Sequence, residues 1–217
     1  MRRLVGAAAL AAWMTLVGAC APDMTLWEVT RVRGQLKRTM SGYELKLCGS
    51  SEPRAVKDFT HGDLSSLWRT LGVHPSSALF VEANLGSSSS NPELRIHEIL
   101  RAQPAEGPGC EEDWAYEVRA HGNEPFWGVT VKQEGIVFEQ PDEPTRIEFP
   151  HVRPMFEMRS PSFSRTYRTV SGSDTLVLRL DRRRCQDGMS GFIFPLTAEA
   201  RFRGRELHGC ASEGAPR

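Results

Sequence analysis

The chain has 217 residues with 27 basic and 27 acidic side chains, so its formal net charge at pH 7 is zero. A balanced charge excludes the broad positive surface that binds nucleic acid through its phosphates, and we expect no nucleic-acid partner. A length of about 200 residues suits one large domain or two small ones.

The chain begins with two arginines, an uncharged apolar run and a cysteine, MRRLVGAAALAAWMTLVGAC. An apolar run of about 14 residues is shorter than the roughly 20 that cross a bilayer as a helix, which is typical of a secretory signal peptide. Residues 17–20, VGAC, resemble the lipobox of bacterial lipoproteins. The resemblance implies that residues 1–19 are removed and that an acylated Cys20 anchors the protein in a lipid bilayer through a tether at 20–25.

Ala21 bears on which membrane holds the lipid. Lipoproteins of the enterobacterial type that stay in the inner membrane carry Asp at this position. We therefore expect the outer membrane, with the protein facing the periplasm. An ordinary signal peptide followed by a cysteine is the alternative.

Four cysteines are left once Cys20 carries lipid. An even number in an oxidising compartment predicts two disulfides, and four cysteines allow three pairings. We predict Cys48–Cys110 and Cys185–Cys210, because neither bridge then connects the two domains that the rest of the sequence predicts.

Residues 26–102 predict a five-stranded β-barrel of the OB type with one helix. Alternating apolar and polar residues favour strands over 26–33, 43–48, 54–59, 78–85 and 94–102. Three strands, one helix and two strands is the order of an OB-type barrel. The basic residues Arg31, Arg33, Lys37 and Arg38 are expected on the solvent faces of these strands.

The helix lies between the third and fourth strands. Four apolar residues recur there at the spacing of one helix face: Leu64, Leu67, Trp68 and Leu71. Asp63 is predicted to cap the start of this helix and Gly72 to end it. We expect Trp68 to plug the open end of the barrel.

Residues 103–112 are rich in Pro and Gly and predict a linker. Residues 113–212 then predict an all-β domain, an antiparallel barrel or sandwich, followed by a tail at 213–217. Seven runs favour strands, over 114–119, 127–132, 136–139, 146–149, 175–179, 197–202 and 205–208. Two further runs, 153–158 and 164–170, are strand candidates with less regular alternation.

Two stretches of the second domain are rich in Gly, Pro and aromatic residues: HGNEPFW at 121–127, the first block, and CQDGMSGFIF at 185–194, the second block. They resemble the motifs G-x-E-P-F-W and C-x-D-x-M-S-G, the latter followed by G-C-A, of a poorly characterised family of bacterial envelope lipoproteins. The matching positions are Gly122, Glu124, Pro125, Phe126, Trp127, Cys185, Asp187, Met189, Ser190, Gly191, Gly209, Cys210 and Ala211.

The N-terminal half is more loosely similar to the OB-type domain of NlpE-like lipoproteins, but it lacks the cysteine-pair motif of that family. These resemblances imply an envelope location and small β domains, and they supply no established activity.

The candidate binding or motif residues are Asn123, Glu124, Phe126, Trp127, Asp187, Met189 and Ser190. A structural interpretation buries Glu124 against backbone N–H groups and lets the Asp187 side chain hold a turn. It also places Trp127 in one core with Phe192 or Phe194, beside the Cys185–Cys210 bridge. In the functional alternative, the first block lines an open pocket and Glu124 orients a ligand.

We find no catalytic or cofactor-binding pattern in the sequence. Ser190 does not lie in a G-x-S-x-G elbow, and no two of the six histidines have the H-x-x-x-H spacing of metal ligands. Met155, Met158 and Met189 would be a small set of soft ligands for copper. We therefore expect no cofactor, no bound metal and no enzymatic activity.

The sequence favours a membrane-anchored periplasmic lipoprotein that acts as a binding or envelope-maintenance module, with an envelope protein or a small ligand as its partner. The alternatives are a small-molecule or metal-binding envelope sensor and, last, a hydrolase. Polar groups that converge in a cleft near Glu124 and Asp187 would favour ligand binding. A nucleophile within hydrogen-bond reach of a base would favour an enzyme, and an extended apolar patch would favour a protein partner.

Overall fold

The structure is a computed structural model and describes residues 28–88, 91–143, 145–159 and 162–215. The predicted signal peptide, Cys20 and the tether at 20–25 lie outside the described residues. Within the described ranges, no helix is long and apolar enough to cross a membrane.

The chain forms two β-sheets connected by a short 3₁₀ turn at Gly109–Glu111. Before the turn lie β1 (Glu28–Thr39), β2 (Gly42–Leu47), β3 (Pro53–Asp58), α1 (Asp63–Thr70), β4 (Leu79–Ser88) and β5 (Asn91–Pro104). After it come β6 (Val118–Asn123), β7 (Phe126–Lys132), β8 (Gly135–Gln140), β9 (Thr145–Phe149), β10 (Met155–Arg159), β11 (Ser162–Ser171), β12 (Asp174–Asp181), β13 (Cys185–Gln186), β14 (Ile193–Phe194), β15 (Leu196–Phe202) and β16 (Arg205–Glu213).

The first five strands close into a ring in the order β1-β2-β3-β5-β4-β1, which confirms the predicted OB-type arrangement. Neighbouring strands are antiparallel except β3 and β5, which run parallel. Alternate residues such as Leu36, Leu45 and Ile96 fill the interior together with Trp68 of α1. The Trp68 indole N–H donates to the Ser77 carbonyl at 2.8 Å, so this large side chain is buried with its polar atom satisfied.

The start of α1 differs from the prediction. Asp63 makes no capping hydrogen bond. Instead the hydroxyl of Thr60 accepts a hydrogen bond from the Leu64 amide at 2.8 Å and donates to the Asp58 carboxylate at 2.6 Å. Thr60 lies three residues ahead of Asp63, so the cap comes from the loop that follows β3.

The end of α1 is as predicted. Gly72 has a φ of +67°, a conformation that a residue with a Cβ rarely adopts. The amides of Gly72 and Val73 donate to the carbonyls of Arg69 and Trp68 at 3.1 and 3.0 Å. These two bonds form a Schellman motif, which ends the helix.

The second sheet is an antiparallel half-barrel in the order β10-β11-β12-β15-β16-β6-β7-β8-β9. Alternate residues of its strands, among them Val129, Phe138 and Leu178, point into one core. Its curvature brings β9 into contact with β11. The strand predicted over 114–119 begins only at Val118, because Trp114 lies under the Arg33 guanidinium of the barrel instead of in the sheet.

A hairpin from the second half of the chain joins the barrel. β13 pairs with β14, and Ile193 of β14 pairs with Ala102 of β5. Ile193 is buried in the barrel core. Residues 185–194, which lie within the domain predicted over 113–212, therefore extend the sheet of the barrel.

Both predicted disulfides, Cys48–Cys110 and Cys185–Cys210, are present. Cys185 lies in β13 and Cys210 in β16, so the second bridge connects the sheet of the barrel to the half-barrel. Neither bridge links the ranges predicted for the two domains, but β13 joins the barrel sheet, which sequence position did not reveal, so a bridge within the range 113–212 connects two sheets.

Arginines and aromatic rings fill the contact between the two sheets. Arg33 donates to the Gly109 carbonyl and lies 4.2 Å from the centre of the Trp114 ring, while Arg101 pairs with Glu112 at 2.6 Å. Burial lowers the pKa of Arg33. The prediction that Arg33 lies on a solvent face is wrong, because the segment that connects the two sheets, at Gly109, Glu112 and Trp114, covers its side chain.

Arg31, also predicted on a solvent face, lies in the same contact. It pairs with Glu82, whose pKa is raised by burial against the opposing effect of Arg31. Both ions are largely removed from water, so each depends on the other. The two sheets are thus joined by the Cys185–Cys210 disulfide, by the hydrogen bond from Arg31 to the Glu213 carbonyl of β16, and by Glu112, which pairs with Arg101 of β5 and Arg119 of β6.

Candidate functional site

The first and second blocks meet through a side-chain hydrogen bond. Asn123, the last residue of β6, donates from Nδ2 to Oδ2 of Asp187 at 2.7 Å. The other carboxylate oxygen of Asp187 accepts bonds from the Met189 amide at 3.1 Å and from the Ser190 amide and hydroxyl, each at 2.7 Å. Asp187 therefore holds the turn of the second block, as predicted, and also binds the first block.

The electrostatics of this contact follow from its hydrogen bonds. Burial acts to raise the pKa of Asp187, but the bonds from Ser190 and Asn123 outweigh burial, and the pKa lies below its ordinary value. The Nε2 atom of His121 lies 3.5 Å from Oδ2 of Asp187. Burial lowers the pKa of His121 despite the attraction of that carboxylate, so the ring is neutral at pH 7.

An open cleft of about 810 Å³ lies beside the contact between the blocks. Its lining comprises Gly122, Asn123, Glu124, Phe126, Cys185, Gln186, Asp187, Gly188, Met189, His208, Gly209 and Cys210. Phe126 and Met189 are exposed, which leaves two large apolar side chains at the surface of the cleft. Five of the seven candidate residues line this cleft; Trp127 and Ser190 do not.

Glu124 is exposed, so the prediction that it is buried against backbone N–H groups is wrong. Asn123 pairs with Phe126 across the ladder, which makes Glu124 and Pro125 the two-residue turn between β6 and β7. Turn residues at the end of a hairpin extend beyond the sheet. The turn between β6 and β7 thereby places the Glu124 carboxylate at the cleft.

Trp127 is buried in the core of the half-barrel, as the structural interpretation predicts. Its indole N–H donates to the carbonyl of His208 at 3.2 Å. A Cβ on Gly122 would collide with that indole and that carbonyl, so the close packing requires glycine at this position of the first block.

The expectation that Trp127 shares its core with Phe192 or Phe194 is wrong. Phe194 contacts the edge of His121 and the guanidinium of Arg101, in the region where the two sheets meet. Phe192 is half-buried. The cause is the pairing of β14 with β5, which turns the second block toward the barrel.

The arrangement around Ser190 is suited to holding a turn and not to nucleophilic catalysis. The Ser190 hydroxyl donates to Asp187, a carboxylate whose lowered pKa makes it a weak general base. His121 contacts the same carboxylate through its other oxygen. The three side chains thus have the aspartate in the middle, whereas a catalytic triad places the histidine there.

One group of side chains near the cleft has the composition of a metal site. Glu199, Glu206 and His208 have ligand atoms within 4.8 Å of one another. The guanidinium of Arg201 pairs with both carboxylates, at 2.8 and 3.3 Å, and so already supplies the positive charge between them. The copper set is dispersed, with Met155 and Met158 on β10 and Met189 at the cleft.

Comparison of the chain with protein families, with curated proteins and with solved structures gives no match. The site therefore has to be interpreted from its own geometry. The sequence did not single out His121 and His208, although His121 begins the first block and His208 immediately precedes the G-C-A motif. That adjacency was the signal that could have found them.

Proposed function

We propose that this protein is a lipid-anchored binding protein of the bacterial envelope and that the cleft between the first and second blocks holds its ligand. The Asn123–Asp187 hydrogen bond carries the proposal, because it joins segments 64 residues apart into one wall. Beside that bond Phe126 and Met189 remain exposed, and a ligand would bury them. A concave site with a few fixed polar groups and apolar walls is the usual form of a ligand site.

The charges of the cleft favour a ligand with a cationic group and an apolar part. The ionisable side chains among its lining residues are Glu124, Asp187 and His208, and none of those lining residues is Lys or Arg. The exposed Glu124 carboxylate attracts a cation, and the Phe126 ring adds a face for a cation–π contact. An amine or guanidinium attached to a short apolar chain satisfies both features.

The envelope location is supported by the lipobox at 17–20 and by the two disulfides. Disulfides persist in oxidising compartments such as the bacterial periplasm. We expect Cys20→Ser to release the protein from membranes, because the lipid is the proposed anchor. A mutant that still pellets with membranes after a carbonate wash would contradict lipid anchoring.

The ligand proposal is tested with three six-carbon probes that differ only in charge: hexylammonium, hexanol and hexanoate. We expect hexylammonium to shift the NMR signals of Phe126 and Met189 and to saturate, and hexanoate to leave them in place. Glu124→Gln should weaken the binding of hexylammonium by about two- to fivefold, the effect of losing a partly exposed charge pair.

The matched control is Glu52→Gln, at an exposed carboxylate in the turn before β3. This variant should bind hexylammonium as the wild type does. Equal binding of hexanoate and hexylammonium, or equal losses in the two variants, would contradict the proposed ligand class.

A further inference from the structure

A group of exposed apolar side chains lies at the edge of the half-barrel, on strands that do not line the cleft. β10 is the terminal strand of its sheet and pairs, within the described residues, only with β11. Phe156 and Met158 of β10 are 61% and 86% exposed. Met158 pairs with Phe163 of β11, and the rings of Phe156 and Phe163 stack with centroids 5.6 Å apart. We call Phe156, Met158 and Phe163 the apolar edge.

The apolar edge is a liability unless another surface covers it. Unpaired backbone groups on an edge strand bind other strands, and proteins usually protect them with charged residues, prolines or short strands. β10 is short and includes Glu157 and Arg159, yet the large apolar side chains of Phe156 and Met158 remain exposed beside its open edge. A contiguous apolar group of this kind marks a contact site for a protein or a membrane.

Basic side chains lie next to the apolar edge. The Arg182 amide donates to the Phe163 carbonyl at 2.9 Å, so the run Arg182-Arg183-Arg184 begins beside it. All three arginines are exposed, and Arg153, two residues before β10, is exposed as well. Arg182 and Arg184 lie 3.5 and 3.1 Å from carboxylates of Glu98 and Asp63, and a lipid phosphate would replace these exposed partners. Large apolar side chains bordered by arginines are the composition of a surface that binds anionic lipids.

The start of β1 lies close to the same edge. Arg31 and Phe163 line one cavity of about 530 Å³. Glu213 ties the two strands together, since its carbonyl accepts a bond from Arg31 at 2.8 Å and its carboxylate pairs with Arg165 of β11 at 2.9 Å. Eleven peptide units separate Cys20 from Arg31, at most about 40 Å of extended chain. A lipid on Cys20 would therefore hold the apolar edge near the bilayer.

We propose that the apolar edge and Arg182–Arg184 bind the surface of an anionic phospholipid bilayer, as a second contact beside the lipid on Cys20. The proposal rests on the envelope location proposed above. The apolar edge enters the boundary between headgroups and acyl chains, while the arginines pair with lipid phosphates. Two contacts, unlike the lipid anchor alone, fix the orientation of the protein on the membrane.

The test uses the chain from residue 20 onward with Cys20→Ser, so that no lipid is attached. It is mixed with vesicles of phosphatidylglycerol and phosphatidylcholine, or of phosphatidylcholine alone, and bound protein is measured by sedimentation. We expect binding to the anionic vesicles and about tenfold weaker binding to neutral vesicles or in about 0.5 M NaCl. Equal binding to both vesicle types would overturn the role of the arginines.

Phe156→Ser/Met158→Ser should weaken vesicle binding by about tenfold or more, because two large apolar side chains no longer leave water. The matched control is Met40→Ser/Val170→Ser, which removes two exposed apolar side chains elsewhere. Since all four residues are exposed, neither double variant should lower the melting temperature. Equal binding of wild type and Phe156→Ser/Met158→Ser would overturn the proposal.

Hydrogen exchange identifies what covers the edge. Vesicles should protect the amides of β10 and leave those of the β15–β16 turn, at Arg203-Gly204, unchanged. Protection of β10 that rises with protein concentration in the absence of vesicles would show that a second copy covers the edge, and would overturn the proposal. Vesicle binding by this unlipidated chain does not depend on acylation or on hexylammonium. A failure of lipid anchoring or of ligand binding is therefore distinguishable from a failure of vesicle binding.

Discussion

The Trp127 side chain fixes the first block to the core of the half-barrel. It is 3% exposed, and its N–H is satisfied by the His208 carbonyl. We expect Trp127→Ala to lower the free energy of unfolding by about 3–5 kcal/mol, because the cavity cannot fill completely. Chemical denaturation of the whole chain measures the change. The control is Phe126→Ala at the exposed neighbour, and similar small losses in both variants would contradict the core position of Trp127.

His121 gives the protein a pH dependence with a definite sign. Burial lowers its pKa in the folded state below the ordinary 6.5, so below about pH 6.5 the unfolded chain binds a proton that the folded chain does not. The free energy of unfolding therefore falls as the pH drops from 7 to 5, by at most about 1.4 kcal/mol per pH unit for one proton.

His121→Gln should reduce this slope, measured by denaturant unfolding at several pH values. His74→Gln, at an exposed histidine after α1, should retain it. Equal slopes in the two variants would show that the pKa of His121 is the same in the folded and unfolded states.

Among single elements, the start of α1 allows a test of which residue caps the helix, Thr60 or Asp63. Thr60→Ala removes the acceptor of the Leu64 amide and should cost about 0.5–2 kcal/mol. Asp63→Ala should cost less, because within the described residues the Asp63 carboxylate makes only an exposed ion pair, with Arg184. Thermal unfolding of the two variants ranks them, and a larger loss for Asp63→Ala would contradict this assignment of the cap.

The sequence predicted those elements whose signal is local. Alternation and turn residues located the five barrel strands, and the spacing of Leu64, Leu67 and Trp68 located α1. β13 and β14 have two residues each, too few for any alternation, so the pairing of β13 with β14 and of β14 with β5 had no signal. Arg33 was misplaced because charge normally marks a solvent face, and its burial depends on Trp114, far away in the sequence.

The sequence predicted some residues of the candidate cleft but not their arrangement in space. The first and second blocks were identifiable by composition, and Asp187 by its place in a turn. The exposure of Glu124 and the Asn123–Asp187 bond depend on how β6, β7 and β13 are arranged in space. Those relations are set by pairings across many residues, which a single sequence does not display.

For the whole molecule, the disulfide that closes the longer loop should contribute more to the free energy of unfolding. Their cysteines are 62 and 25 residues apart, for which loop entropy gives about 4 and about 3.5 kcal/mol. We expect Cys48→Ala/Cys110→Ala to lose at least as much stability as Cys185→Ala/Cys210→Ala in guanidinium unfolding. A clearly larger loss in the second variant would show that connecting the two sheets matters more than loop length.

The position of β16 bears on how the protein can be assembled. β16 lies between β15 and β6, so within the described residues it alone joins the ribbon β6–β9 to the ribbon β10–β11–β12–β15 by strand pairing. Both ribbons are synthesised before residues 205–213, and until then β6 and β15 each have one strand edge without its partner. Such long-range pairing is slow and leaves edges open to aggregation. The protein is therefore most open to aggregation, and most in need of a holding chaperone, before β16 has paired with β15 and β6.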